Sequence, residues 1–336
     1  MLVSLSKTPT GVPSDISAPA GRAGALTSAK GNIAALGKGK LLRLGFNLPQ
    51  IGPAADPEAI VTVATVAEDM GFATLWVADR LLSGALPEVY HNVIDPVGAL
   101  TFAAARTTRV GLGTSILNLP WYNPVLLARQ LTALDVLSHG RLRVGFGVGW
   151  MEDEFKAVGI SMRDRGKRTD EALEALKAIW TTDPVEFEGA YYKIPKSVIR
   201  PKPVQEPHPP IYLAASTPRA MARVARHADG WLPLGLPIDD MAEMFAAIKS
   251  MAHDAGRDPD RLEMLVRANV IVTDSPLGDD RKVYTGSLDQ IASDIAATQA
   301  VGAAELAFDP TYDPAVQTVG DFTDRMKLLR GLAAGS

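Results

Sequence analysis

Eight short apolar runs recur between Leu42 and Phe308, each separated from the next by a stretch with helical spacing. They are Leu42–Asn47, Thr74–Asp79, Arg109–Gly113, Leu142–Gly149, Pro210–Ala215, Gly230–Leu234, Glu263–Val272 and Ala304–Phe308. Ile60, Val63, Ala64, Ala67 and Met70 form one intervening apolar face, and Leu173, Leu176 and Trp180 another. Strands that alternate with helices pair in parallel, because each helical crossover returns the chain to the same end of the sheet. Eight of them in 336 residues predict an α/β fold whose sheet closes on itself, a (β/α)8 TIM barrel.

Helix starts agree with this spacing. Asp56-Pro57, Asp95-Pro96, Asn123-Pro124 and Thr217-Pro218 each place a capping side chain before a proline at the first helical position. Ser287 to Gln290 reads as a capping box, and Ser138-His139-Gly140 ends the third helix on a glycine suited to left-handed backbone. One segment breaks the alternation. Val185 to Ile194 reads as a β-hairpin around Gly189, inserted between the fourth-strand helix and the fifth strand. The proline-rich excursion from Pro195 to Pro210 is expected to form a wall over the barrel mouth. Residues 1–40 stand apart, rich in Ser, Gly, Ala and Pro with Asp15 as the only acid, and predict a mobile tail ahead of a single barrel domain over 41–336.

Composition removes several classes of function. A net charge of −4 with no basic stripe gives no footprint for nucleic acid. The absence of cysteine excludes disulfides, thiolate nucleophiles and zinc–thiolate sites, and it fits a reducing, cytoplasmic setting. No apolar run reaches the roughly 18 residues of a membrane helix. Neither HExxH nor paired histidines occur, so no metal is expected.

The fourth run has two unlike faces. Leu142, Val144, Phe146 and Val148 alternate with Arg143, Gly145, Gly147 and Gly149. Either a flat ligand approaches the backbone along that glycine column, or the strand is kept small to fit a crowded barrel. Barrel enzymes carry their active groups on the loops after the strands' carboxyl ends. Those positions here include Asn47, Asp79, Arg80, Ser115 to Asn118, Gly149, Trp150, Ser216 and Thr217. Asp79 ends an apolar strand and has two readings, a hydrogen bond to a ligand or an ion pair with Arg80. His91 is either a general acid or a solvated loop histidine. Ser216-Thr217-Pro218 is either an ordinary cap or a helix terminus that holds a phosphate.

The run from Gly140 to Trp150, with Glu154-Phe155 and Arg168 to Leu173, resembles the luciferase-like monooxygenase superfamily, and within it the coenzyme F420-dependent oxidoreductases. Trp76 to Asp79, Leu112 to Leu117, Leu134 to Ser138 and Ala228 to Trp231 belong to the same pattern, which extends from about Leu42 to about Leu332. The resemblance implies a TIM-type barrel with an inserted hairpin and a small-molecule substrate. It places Asp79, Asn118, Val148 and Gly149 along the cofactor ring, and Ser216 and Thr217 on its phosphate. It also implies a non-prolyl cis peptide at Ser115-Ile116, forming a backstop behind the ring. The related sugar-phosphate dehydrogenases have a histidine at the position of Arg80 and a glutamate at that of Trp150, so that substrate class is disfavoured. Trp150 is then expected to pack on an apolar substrate, with Asp79, Arg80 and His91 as the remaining candidates for chemistry.

The activity implied is hydride transfer between coenzyme F420 and a small organic molecule. The alternatives are an FMN-dependent monooxygenase using reduced flavin and O2, and a catalytically silent flavin-binding protein. Lys193, Lys196, Arg200 and Lys202 on the inserted segment are expected to form a basic exit for the anionic tail of the deazaflavin. A homodimer is compatible with such barrels, but no stripe marks its interface.

Overall fold

The computed structural model describes residues 41–84 and 86–334; the expected tail over 1–40 lies outside them. Eight parallel strands form the barrel: β1 (Arg43–Asn47), β2 (Thr74–Val77), β3 (Gly111–Thr114), β4 (Leu142–Gly147), β5 (Ile211–Leu213), β6 (Gly230–Trp231), β7 (Glu263–Asn269) and β8 (Glu305–Asp309). Each strand pairs with its sequence neighbour, β1 pairs with β8, and β3 closes on β4 through Leu112↔Leu142 and Gly113↔Arg143. Around it run nine α-helices of the described residues: α1 (Pro57–Asp69), α2 (Pro96–Ala104), α3 (Pro124–Leu137), α4 (Glu152–Ala157), α5 (Arg165–Thr181), α6 (Pro218–His227), α7 (Ile238–Asp254), α8 (Leu288–Ala300) and α9 (Val319–Ala334).

The caps read from sequence are made. Asp56, Asp95, Asn123 and Thr217 each accept a backbone N–H from the first turn of their helix. Both halves of the Ser287–Gln290 capping box are present. At the end of α3, His139 as well as Gly140 takes positive φ, at 57° and 76°. Outward-facing strand residues such as Leu75, Leu112, Val144, Phe146, Leu306 and Phe308 bury against the helices in the main core.

Polar groups plug the amino end of the barrel. Glu305 is fully buried and accepts hydrogen bonds from Arg43, Thr74, Trp76 and Arg143, which come from three other strands. Each carboxylate oxygen is therefore satisfied despite its burial, as a buried charge requires. Above this plug Trp76 lies across the barrel. A Cβ on Gly113 would come within 2.3 Å of its ring, and one on Gly45 within 2.6 Å of its indole nitrogen. Those two glycines make room for one large side chain.

The hairpin forms as expected, from Val185–Glu188 and Lys193–Ser197. Glu171 on α5 holds its turn by accepting the amides of Ala190, Tyr191 and Tyr192. The excursion that follows does not cover the mouth. Asp135 near the end of α3 accepts the amides of Val204 and Gln205, and the Gln205 side chain donates to the Leu142 carbonyl at the start of β4. The segment is thus pinned at the amino ends of the strands, opposite the mouth.

Candidate active site

The mouth is built from loops that each strand ends in. After β3 the chain turns through a cis Ser115–Ile116 peptide and then pairs Leu117–Asn118 with the carboxyl half of β4. Arg267 on β7 braces this turn. Its guanidinium donates to the Ser115 carbonyl at 2.7 Å and pairs with the fully buried Asp309 at the end of β8. A planar guanidinium with five donors can hold a carbonyl and a carboxylate together, which a lysine could not do with fixed geometry.

Asp79, just past β2, is buried and accepts from the Asn118 amide at 3.2 Å and from the Tyr122 hydroxyl at 2.9 Å. Burial pushes its carboxyl up to about 6, against these two hydrogen bonds that favour the charged form. Arg80 does not pair with Asp79. Its guanidinium donates at 2.8 Å to Glu154, whose other oxygen accepts the amides of Leu81 and Leu82. Glu154 is fully buried, so α4 anchors the first residues of the loop after β2. Arg80 also stacks between two rings, 5.2 Å from that of Trp150 and 5.5 Å from that of Tyr90.

The glycine column takes the crowded-barrel reading at its first two positions. A Cβ on Gly145 would lie 2.0 Å from the Thr114 carbonyl oxygen and 2.6 Å from Leu232, and one on Gly147 would lie 2.3 Å from Ile116 Cδ1. Side chains of the barrel itself occupy that space. Gly149 has φ +72°, and its Cβ would meet the Phe155 ring at 2.9 Å and Asn118 Oδ1 at 3.5 Å. Backbone strain and Phe155 already demand glycine there.

The other positions singled out from sequence are placed as follows. Ser115 and Asn118 are buried, Ile116, Val148 and Gly149 half-buried, and Trp150 is 61% exposed on the rim. Ser216 and Thr217 are exposed at the start of α6, where Thr217 accepts the Ala220 amide at 3.3 Å. His91 is exposed, and no hydrogen bond holds its ring among the described residues. Of the four residues expected to form a basic exit, three have partners of their own. Lys193 pairs with Glu188 and Arg200 with Asp183, while Lys202 donates to the Ile179 and Thr182 carbonyls at the end of α5. Among the described residues no group of acids and histidines is arranged to hold a metal ion, and no helix is long and apolar enough to cross a membrane.

Sequence reasoning did not find Tyr122, Glu154, Arg267 or Asp309. Asp309 carried the same signal as Asp79, a carboxylate closing an apolar strand, but the expected strand stopped one residue short of it. Glu154 was visible as part of the family pattern, with no role attached to it. Two further acceptors at the mouth, Asn47 Oδ1 at the end of β1 and Asn269 Oδ1 at the end of β7, are buried without a partner. Unsatisfied buried carbonyls are costly, and a ligand bearing N–H or O–H groups would satisfy them.

A closed parallel barrel with buried polar groups gathered at its carboxyl mouth defines an enzyme of TIM-barrel architecture. The chain belongs to the luciferase-like monooxygenase family, whose model matches residues 41–327. It is 30% identical over 216 residues to an FMNH2-dependent dimethylsulfone monooxygenase of Pseudomonas putida, covering 63% of this chain and 58% of that one. It is 29% identical over 244 residues to an F420-dependent glucose-6-phosphate dehydrogenase of Kineococcus radiotolerans, covering 71% of this chain and 70% of that one. A monooxygenase from Streptomyces bottropensis shares the fold with a TM-score of 0.73 at 23% identity, over 88% of this chain and 99% of that one. The protein is therefore an oxidoreductase or monooxygenase of the luciferase-like class.

Proposed function

We propose that the protein transfers a hydride between coenzyme F420 and a small, largely apolar organic substrate. When bound, the deazaflavin supplies two-electron hydride chemistry with little reactivity toward oxygen. The residues at the mouth fit such a group. Asn47 Oδ1 and Asn269 Oδ1 would accept its ring or side-chain donors. Asp79, kept buried between Asn118 and Tyr122, would face its polar edge. The amides at the start of α6 would take its phosphate.

The observation that carries this reading over its rival is the rim. Leu81, Leu82, Trp150 and Leu234 are 45%, 37%, 61% and 47% exposed. An open apolar rim admits an apolar substrate, and a hydride carrier does not need the sealed pocket that an oxygen adduct on a flavin requires. The Kineococcus radiotolerans relative supports the same cofactor. The Pseudomonas putida relative supports the second reading, an FMN-dependent monooxygenase fed with reduced flavin and O2, and the α6 terminus would serve either phosphate.

Titration of the apoprotein with oxidised and reduced deazaflavin and with FMN tests the choice. The expected result is tighter binding of the deazaflavin. Equal or tighter binding of FMN, with oxygen uptake when reduced FMN is supplied, would replace this reading by the monooxygenase. Three of the four basic side chains of the inserted segment, Lys193, Arg200 and Lys202, have partners of their own, so at most a small salt-dependent advantage for the deazaflavin tail is expected from them.

A further inference from the structure

The loops after β2 and β8 meet over the mouth through two phenols. Tyr90 Oη and Tyr312 Oη are 2.7 Å apart. Tyr312 Oη also lies 3.5 Å from Arg267 Nη2. Arg267 is fixed by Asp309 at the end of β8 and by the Ser115 carbonyl at the end of β3, so the phenol pair stands at the carboxyl end of the barrel. Both tyrosines are partly exposed, which leaves them reachable from the mouth.

The arrangement lets a proton pass between the two phenols. A guanidinium has only donors, so Tyr312 Oη accepts from Arg267, and either phenol can donate across the 2.7 Å contact. When Tyr312 donates, the Tyr90 hydrogen is left without an acceptor among the described residues and is available to a ligand. Arg80 sits over the Tyr90 ring at 5.5 Å. That cation–π contact holds the ring in place at the rim. His91, the neighbouring residue, offers no comparable contact.

We propose that Tyr90 is the proton donor of the reaction, with Tyr312 and Arg267 as the residues that position it. The inference rests on the hydride-transfer reading. As a C=O or C=N carbon of the substrate gains the hydride, the reduced cofactor supplying both electrons, the π pair moves onto oxygen or nitrogen. The Tyr90 O–H bond breaks and a new O–H or N–H bond forms on that atom. Tyr90 regains its proton from Tyr312, and Tyr312 regains one from solvent. In the reverse direction Tyr312 first releases its proton to solvent and takes that of Tyr90, and the Tyr90 phenolate then accepts the proton of an alcohol or amine.

The test uses the full-length protein labelled with 3-fluorotyrosine, with cyclohex-2-enone as the probe, and Tyr90→Phe and Tyr312→Phe as the variants. Adding the enone is expected to shift one fluorine resonance that is missing in Tyr90→Phe, and to shift it less in Tyr312→Phe. In deazaflavin-saturated protein, Tyr90→Phe is expected to slow enone-driven oxidation of the reduced cofactor at least tenfold. The solvent deuterium isotope effect should fall, while the cofactor dissociation constant stays within twofold. An enone shift that survives in Tyr90→Phe, no shift at either phenol, or an unchanged rate and isotope effect in that variant would overturn the assignment. Failure of the unsubstituted protein to bind deazaflavin would instead remove the hydride-transfer reading, and the fluorine resonances would still decide whether Tyr90 meets the substrate.

Discussion

Asp79 Oδ2 accepts the Tyr122 hydroxyl at 2.9 Å, inside a wall where the carboxylate is only 7% exposed. Two hydrogen bonds do not offset the loss of water around the charge, and the carboxyl is pushed up to about 6. A buried acid that titrates near neutrality is a feature of functional sites more often than of structural ones.

That shift has a consequence for stability. The folded form holds the Asp79 proton more tightly than the unfolded chain does, so between about pH 4 and pH 6 stability falls as pH rises. The contribution is full below pH 4 and lost above about 6, and it amounts to about 3 kcal/mol at most. Asp79→Asn should flatten this part of the profile. Urea denaturation of both proteins across pH 4 to 7.5 checks it; parallel profiles would show that Asp79 ionises normally.

The glycines of β4 should differ sharply in tolerance. Gly145→Ala places a methyl 2.0 Å from a backbone carbonyl that cannot move without opening the barrel, and should cost at least about 3 kcal/mol or prevent folding. Gly147→Ala meets the flexible end of Ile116 and should cost about 1–3 kcal/mol. Adding Ile116→Val should recover more than half of that loss. Equal costs at the two positions, measured by urea denaturation, would mean that β4 shifts as a unit.

Gly149→Ala is expected to cost about 1–2 kcal/mol from its left-handed backbone alone, with a further cost from the Phe155 ring. The variant should lose stability before it loses affinity for any cofactor. A folded Gly149→Ala of unchanged melting temperature but weakened cofactor binding would return this glycine to the ring.

Removing Glu154 strands Arg80 and frees two amides. Glu154→Ala should destabilise by about 3–5 kcal/mol, and the double change Arg80→Met with Glu154→Leu should recover most of it. Hydrogen exchange at Leu81 and Leu82 should quicken in the single variant. Unchanged protection there would place the anchor of this loop elsewhere.

Local patterns carried most of the architecture. Short apolar runs marked every barrel strand, proline after a capping side chain marked four helix starts, and Asp79 and Asn118 were visible because they follow strand ends. These signals involve residues within a few positions of one another, so contiguous sequence contains them. The Ser115–Ile116 turn was legible only through family resemblance.

What the sequence by itself determined is the order of elements, the closure implied by eight parallel strands, and which end carries the polar loops. Only the tertiary structure decided who meets whom inside. Arg80 chose Glu154, 74 residues away, over the adjacent Asp79; Arg267 reached Ser115 across 152 residues; and Tyr90 met Tyr312 across 222. It also placed the proline-rich excursion at the foot of the barrel, through Asp135 and Leu142. The physical reason is that a buried charge or phenol takes whichever partner closure brings within reach at good geometry, and closure joins strands whose separation along the chain leaves no periodic trace.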